Sequence, residues 1–233
     1  MDYFKHSKYP LMEAPFIAFL LAIAAGSMDG YTFFAAKAFS TVQSGNIILL
    51  GQTLATNNIA KFTTVALTIL CFGLGSIATG IIQLKFGKEH KSWTFAILSV
   101  EALILFAVGF SSINAAFGAA YVCMIISFIA GMQGNAFHKI DGMLYGNVAV
   151  TLVVQLAFNY IIQAIFGKKG AAKDSVIYFI VLLGFAIGGL MGTFLTIHIA
   201  EKSLWVTGGL ILLIGIIAKV QKKEDSIEAI DPV

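Results

Sequence analysis

The sequence contains no arginine, only three prolines and two cysteines, and charged residues make up 12% of it. A typical soluble domain carries about 25% charged residues, so the composition excludes an ordinary water-soluble protein. The two cysteines, Cys71 and Cys123, lie inside apolar stretches where a thiol behaves as a small hydrophobe, and we expect no disulfide. The fifteen lysines lie mostly between or beyond those stretches, which favours a role in membrane orientation over nucleic-acid binding.

Long apolar stretches are abundant, and hydrophobic residues make up 58% of the chain. Eight apolar segments lie at 15–36, 42–57, 62–84, 93–111, 115–137, 143–166, 175–199 and 203–219. Most have the length that crosses about 30 Å of hydrocarbon. We therefore predict an all-α, polytopic integral membrane bundle. Its expected parts are a cytoplasmic N-terminal segment (1–14), two membrane repeats (15–111 and 115–219) and a disordered cytoplasmic tail (220–233).

Three short motifs occur in the same order in both halves of the chain. In the first half they lie at 26–30, 44–46 and 73–80, and in the second half at 131–135, 145–147 and 184–193. An internal repeat of this kind is how many transporters are built, with the site at the interface between the halves. The alternative is that glycine is simply common in membrane helices.

Lysine placement favours six crossings over eight. If all eight segments cross, nine lysines face the cytoplasm and six face outside, whereas twelve face three if segments 42–57 and 143–166 do not fully cross. Because cytoplasmic loops carry the excess of lysine, we predict six spans, both termini in the cytoplasm, and one short or re-entrant helix per half. The halves would then be inverted. Segment 143–166 is long enough to cross alone, so seven or eight spans stay open.

Two acidic residues lie inside apolar segments. Asp29 is in the first segment, where a carboxylate costs at least about 2.5–3.5 kcal/mol on insertion scales. We predict that it binds a proton, a cation or the solute; the alternative is that it caps a broken helix or pairs internally. Glu101 lies near the centre of segment 93–111 and is either a proton carrier or a hydrogen-bonded neutral acid. Asp29 and Glu101 are thus the proton-coupling candidates.

Two triplets, Ser44-Gly45-Asn46 and Tyr145-Gly146-Asn147, stand where a polar stretch turns into an apolar helix. Serine and asparagine cap helix starts, and a helix N-terminus favours a polar or anionic ligand group. One such helix end per repeat would form a pseudo-symmetric site near the midplane, unless both triplets are ordinary interfacial caps. The predicted solute-binding residues are Asp29, Gln43, Ser44, Asn46, Gln133, Asn135 and Asn147.

Enzymatic chemistry has no support in the sequence. No cluster of His, Cys and carboxylates has metal-ligand spacing, and there is neither a phosphate-binding Gly-Lys-Ser/Thr loop nor a serine nucleophile elbow. We therefore expect no catalysis, no cofactor and no metal.

Ala25-Gly26-Ser27-Met28-Asp29, the run 44–51 and Gly131-Met132-Gln133 resemble motifs of the YoaK-like (DUF1275) family of bacterial integral membrane proteins. The resemblance covers essentially the whole chain. Ser44 replaces the family's usual threonine, and the second-half motifs depart further. The resemblance implies a bacterial inner-membrane protein suspected of moving small solutes.

The sequence thus predicts a small secondary transporter or facilitator of a polar solute, anionic solutes included, coupled to protons. The alternatives are a non-transporting membrane scaffold or regulatory protein, and a channel. The expected partners are a small-molecule solute and the lipid bilayer of the inner (plasma) membrane, without nucleic acid. A homodimer is compatible with the repeat but does not follow from it.

Overall fold

The computed structural model describes residues 9–86 and 93–220, and most of them are helical. The helices are α1 (Pro15–Ala36), α2 (Gln43–Ala55), α3 (Ile59–Phe86), α4 (Trp93–Val108), α5 (Ser111–Ala136), α6 (Thr151–Ile165), α7 (Ala171–Ile199) and α8 (Ser203–Val220). Short 3-10 turns, Leu11–Glu13 and Ala200–Lys202, precede α1 and α8. One antiparallel hairpin, β1 (Lys139–Ile140) and β2 (Met143–Leu144), precedes α6. Apart from that hairpin the all-α prediction is confirmed, while the predicted tail beyond Val220 lies outside the described residues.

Four stretches are long and apolar enough to cross a membrane. They are Pro15–Ala36, Ile59–Lys85, Ser111–Ala136 and Ala171–Val220, the last containing both α7 and α8. This length and apolarity indicate a membrane protein. By contrast, α2 has 13 residues, α6 has 15 and α4 has 16. At 1.5 Å per residue these three helices reach only about 20–24 Å, less than the hydrocarbon thickness.

The apolar segment predicted at 143–166 is not one helix. Its first part forms strand β2, and α6 begins only at Thr151. Asp141 and Gly142 both have positive φ, 47° and 75°, which is the backbone of a tight two-residue hairpin turn. Met143 and Leu144 are apolar whatever their backbone conformation. A prediction from hydropathy therefore placed the start of this helix too early in the chain.

Two helix pairs run parallel and approach closely through glycine. A methyl group on Gly26 would lie 2.1 Å from the Phe185 carbonyl oxygen, and one on Gly30 would lie 2.7 Å from the Gly189 carbonyl oxygen. Residue numbers rise together along the contact, so α1 and α7 run in the same direction. Only a small residue allows backbones this close where lipid gives no hydrophobic drive to associate.

The pair α3 and α5 is parallel in the same way. Near its start, α3 accepts a hydrogen bond at the Thr68 carbonyl from Ser127 Oγ, 2.9 Å. Further along, Thr79 Oγ1 donates to the Met132 carbonyl at 3.2 Å. Residue numbers rise together along both helices, so the third helix of the first half packs parallel to the first helix of the second half.

The remaining central contacts are antiparallel. Gln133 of α5 donates to the Leu21 carbonyl, whereas Asn114 near the start of α5 donates to Tyr31 Oη, so α1 and α5 run in opposite directions. The pair α4 and α8 is also antiparallel, because Gly208 lies beside Ala102, whereas Gly215, about two turns later on α8, lies beside the earlier residue Leu98 of α4. The apolar core lies where α1, α4, α5 and α8 meet.

Each of the short helices α2 and α6 lies between two long helices that meet at one end of the bundle, and the two ends are opposite. Lys61 Nζ, near the start of α3, donates to the Ala36 carbonyl at the end of α1. In the second half, Lys173 near the start of α7 pairs with Asp141 of the hairpin after α5, 3.2 Å from nitrogen to oxygen. The chain therefore re-enters the next long helix close to where it left the previous one.

Candidate functional site

Asp29 holds the loop between α1 and α2 against the interior of the bundle. The Asp29 side chain is 6% exposed. Its Oδ1 accepts from Thr41 N at 2.8 Å and from Ser40 Oγ at 3.3 Å, and its Oδ2 accepts from Thr41 Oγ1 at 2.6 Å. One turn further along α1, Thr32 Oγ1 accepts from Ser40 N at 3.2 Å. The loop therefore folds back beside α1 instead of continuing past its end.

Gln43 and Asn46 tie the same loop to the first turns of α2 and to α5. Gln43 Nε2 donates to the Ser40 carbonyl at 2.9 Å and to Ser127 Oγ at 3.2 Å. Asn46 makes two hydrogen bonds to the backbone of Phe39: its Nδ2 donates to the Phe39 carbonyl, and its Oδ1 accepts from the Phe39 N–H. The Asn46 side chain thus binds the preceding loop, and no side-chain cap bonds the start of α2.

These contacts define the first polar cluster: Asp29, Thr32, Ser40, Thr41, Gln43, Asn46 and Ser127. Sequence reasoning missed Thr32, Ser40, Thr41 and Ser127. Thr32 lies three residues after Asp29 on the same helical face, a spacing that could have revealed it. Ser44 differs from Gln43 and Asn46, since it is exposed and no hydrogen bond to the cluster is seen for its side chain among the described residues.

The second polar cluster comprises Gln133, Tyr145 and Asn147. Gln133 Nε2 donates to the Leu21 carbonyl at 3.3 Å and to Asn147 Oδ1 at 3.4 Å, and Asn147 Nδ2 donates to the Phe137 carbonyl at 2.5 Å. The Tyr145 hydroxyl faces the Asn147 side chain. Neither that hydroxyl nor Gln133 Oε1 has a hydrogen-bond partner of good geometry among the described residues.

Asn46 and Asn147 occupy corresponding places in the two halves. Each donates to the carbonyl of a phenylalanine, Phe39 or Phe137, in the loop that follows a long helix. The prediction that the second triplet begins a helix is wrong, because α6 starts four residues after Asn147. The two asparagines thus make similar backbone contacts, although only Asn46 lies within the short helix of its half.

The predicted residues form two clusters at different levels of the bundle. Asp29 and Leu21 mark the two clusters on α1, and their separation of eight residues corresponds to about 12 Å along the helix. Asn135 belongs to neither cluster, because its half-buried amide donates to the Ser76 carbonyl at 3.2 Å and joins α5 to α3. The stretch of α1 between Leu21 and Asp29 contains Gly26, which packs against the backbone of α7.

Glu101 is the most isolated of the predicted residues. Its side chain is fully buried on the face of α4 that carries Ile97 and Leu105 into the core. Neither carboxyl oxygen has a hydrogen-bond partner among the residues that the structure describes. A carboxyl group without partners in an apolar bundle is costly, and such residues in membrane helices usually mark ion or proton pathways.

Comparison with known proteins gives one match. The family model described as "Protein of unknown function (DUF1275)" matches residues 17–217. No curated protein and no solved structure matches the chain. The geometry of the two clusters and of Glu101 is therefore the available guide to what the chain does.

Proposed function

Since this chain belongs to the DUF1275 family, a family of unknown function, we propose its function from its own geometry: a small secondary transporter or facilitator of a polar solute in the bacterial inner membrane. The proposal includes six crossings, both termini in the cytoplasm, and two inverted halves of four helices each. Protons are the proposed coupling ion.

The inverted halves are supported by the helix directions. Exchanging α1–α4 with α5–α8 turns the parallel pair α1 and α7 into the parallel pair α5 and α3, and turns the pair α4 and α8 into itself. The opening helices of the halves, α1 and α5, run antiparallel, as an axis in the membrane plane requires. Inverted repeats of this type are common among secondary transporters.

The observation that carries the transport proposal is the buried, non-helical backbone ahead of each short helix. Ser40 and Thr41 are fully buried in the first loop, and Tyr145 and Asn147 are buried in the second. Within a membrane, irregular backbone is tolerated only where protein surrounds it or where it lines a cavity. Transporter sites are typically built from such broken helices.

Proton coupling is assigned to Asp29 and Glu101. Asp29 accepts three hydrogen bonds, so a proton on its carboxylate removes an acceptor and loosens the hold on Thr41. That links protonation to the position of the loop before α2. Glu101 has no hydrogen-bond partner among the described residues, so no donor holds its carboxyl group in the charged form and the group is suited to carry a proton.

A solute screen tests the transport proposal. We expect at least one polar metabolite to raise the melting temperature of the purified protein by linkage, and to drive proton movement in proteoliposomes loaded with a pH-sensitive dye.

Replacing Glu101 by leucine removes an unpartnered carboxyl, so we expect unchanged or higher thermal stability together with lost proton movement. The control is Thr207→Val, which breaks the 2.7 Å bond to Ser27 and costs about 1 kcal/mol without touching a carboxyl group. A protein that responds to no solute, or whose Glu101→Leu variant still moves protons, contradicts the proposal.

A further inference from the structure

We propose that the second polar cluster, Gln133, Tyr145 and Asn147, binds an uncharged solute that presents a hydrogen-bond donor next to an acceptor, as a primary amide or a lactam edge does. The inference rests on the proposed transport function and names the solute class. It assigns solute binding to the second cluster, while the first cluster holds the loop before α2 and couples its position to protons through Asp29.

Unmet hydrogen-bonding capacity distinguishes the second cluster from the first. In the first cluster, both oxygens of Asp29 and both ends of the Asn46 amide are bonded. In the second, neither Gln133 Oε1 nor Tyr145 Oη has a hydrogen-bond partner of good geometry in the part of the chain that the structure describes, although the two side chains are 0% and 1% exposed. Buried polar groups are nearly always hydrogen-bonded, so each exception needs an explanation. A solute that enters and leaves provides one.

The orphaned atoms specify complementary chemistry. Gln133 Oε1 accepts only, so it requires an N–H or O–H on the solute, while the Tyr145 hydroxyl can donate to a carbonyl. Both atoms belong to side chains that contact or face Asn147, which brings the two requirements close together. An amide or lactam supplies an N–H and a C=O on adjacent atoms.

Charge argues for a neutral solute. The three side chains of the cluster, a glutamine, a tyrosine and an asparagine, are uncharged and buried. A charged solute bound among them would lose its hydration without gaining a partner of opposite charge, which is costly.

The β1–β2 hairpin covers the cluster at one end of the bundle. The Asp141 N–H donates to the Glu13 carbonyl at 2.8 Å, and Tyr178 Oη donates to the Leu144 carbonyl at 2.8 Å. The hairpin is thus held to the segment before α1 and to α7. The proposed solute therefore lies next to a short hairpin, which the Lys173–Asp141 pair, 3.2 Å from nitrogen to oxygen, also joins to α7.

Thermal shifts with matched probes test the inference. Nicotinamide and uracil carry the proposed donor–acceptor edge, and nicotinate is the anionic counterpart of nicotinamide. We expect both neutral probes to raise the melting temperature of the purified full-length protein. The half-maximal concentration of nicotinate should be at least tenfold higher than that of nicotinamide. Tyr145→Phe removes only the orphaned hydroxyl. We expect it to keep or raise the basal melting temperature and to shift the half-maximal probe concentration upwards at least tenfold.

The matched control is Tyr31→Phe, which removes a tyrosine hydroxyl that accepts from Asn114 Nδ2 at 2.6 Å, ten residues along α1 from the Leu21 carbonyl that Gln133 binds. It should lower the basal melting temperature and leave the probe concentration unchanged. A shift by nicotinate alone, or probe binding that Tyr145→Phe does not weaken, overturns the inference. So does a lack of response to both neutral probes, which would mean a cluster filled by water alone. Solute-driven proton movement that depends on Glu101 would still support the transport proposal in each of these cases.

Discussion

At the residue scale, the two carboxyl groups buried in membrane helices have opposite surroundings. Asp29 is enclosed by three donors from Ser40 and Thr41, whereas Glu101 meets apolar side chains and no partner among the described residues. The sequence shows both as single acids in apolar segments and does not distinguish them. The donors to Asp29 lie eleven and twelve residues further along the chain, and only the fold brings them close.

Asp29→Asn tests the contribution of this carboxylate to stability. The amide presents an NH₂ group where an oxygen now accepts, so at least one donor from Thr41 or Ser40 loses its partner. We expect a loss of about 1–3 kcal/mol, measured as a lower melting temperature in detergent. Ser44→Ala, at an exposed position two residues before Asn46, is the control and should change little. An Asp29→Asn protein as stable as the control would show that the loop does not depend on the carboxylate.

At the scale of elements, the spacing of small residues decides which helices pair. Gly75 faces α5, and a methyl group there would lie 1.8 Å from the Phe128 carbonyl oxygen. Gly73, two residues earlier on the same helix, has nothing within 4 Å of that position. The same residue type in one helix thus serves a close backbone contact at one position and none at the other.

Alanine at these two glycines should have opposite effects. Gly75→Ala forces the α3 and α5 backbones apart, and overpacking of this kind typically costs about 1–3 kcal/mol. Gly73→Ala adds no clash and removes the conformational entropy cost of glycine in a helix, a gain of up to about 1 kcal/mol. Thermal melting of both variants in the same detergent measures the difference. Equal melting temperatures would mean that the close contact between α3 and α5 does not contribute to stability.

Helix positions were more predictable than loops. The sequence predicts the start of the eighth segment at 203, and α8 begins at Ser203. The first helix ends as predicted at Ala36, where Lys37 takes a left-handed conformation. The hairpin before Thr151 was missed because its apolar residues look helical to a hydropathy window. The buried loop before α2 was missed because burial there depends on Asp29 and Ser127, which are remote in sequence.

At the scale of the whole molecule, the proposed six crossings have a direct test. Single cysteines at Asn58 and Gly170, in a protein whose Cys71 and Cys123 are replaced by alanine, lie before α3 and before α7. Because α2 and α6 return to the end from which they started, we expect a membrane-impermeant maleimide to label position 58, and not 170, in intact cells. Permeabilised cells, in which both should react, are the control. Protection of both positions would instead favour eight crossings.

The pairing of helices divides the bundle into two groups that each mix the halves. One group contains α1, α6 and α7, the other contains α2, α3 and α5, and α4 with α8 lies beside both. The first polar cluster joins the groups where Ser127 donates to the loop held by Asp29, and the second joins them where Gln133 donates to Leu21. If one group rotated relative to the other, the hydrogen bond at one of these clusters would lengthen while the bond at the other cluster stayed formed. In the proposed transporter, breaking these two contacts one at a time would open the interior to only one side of the membrane at once.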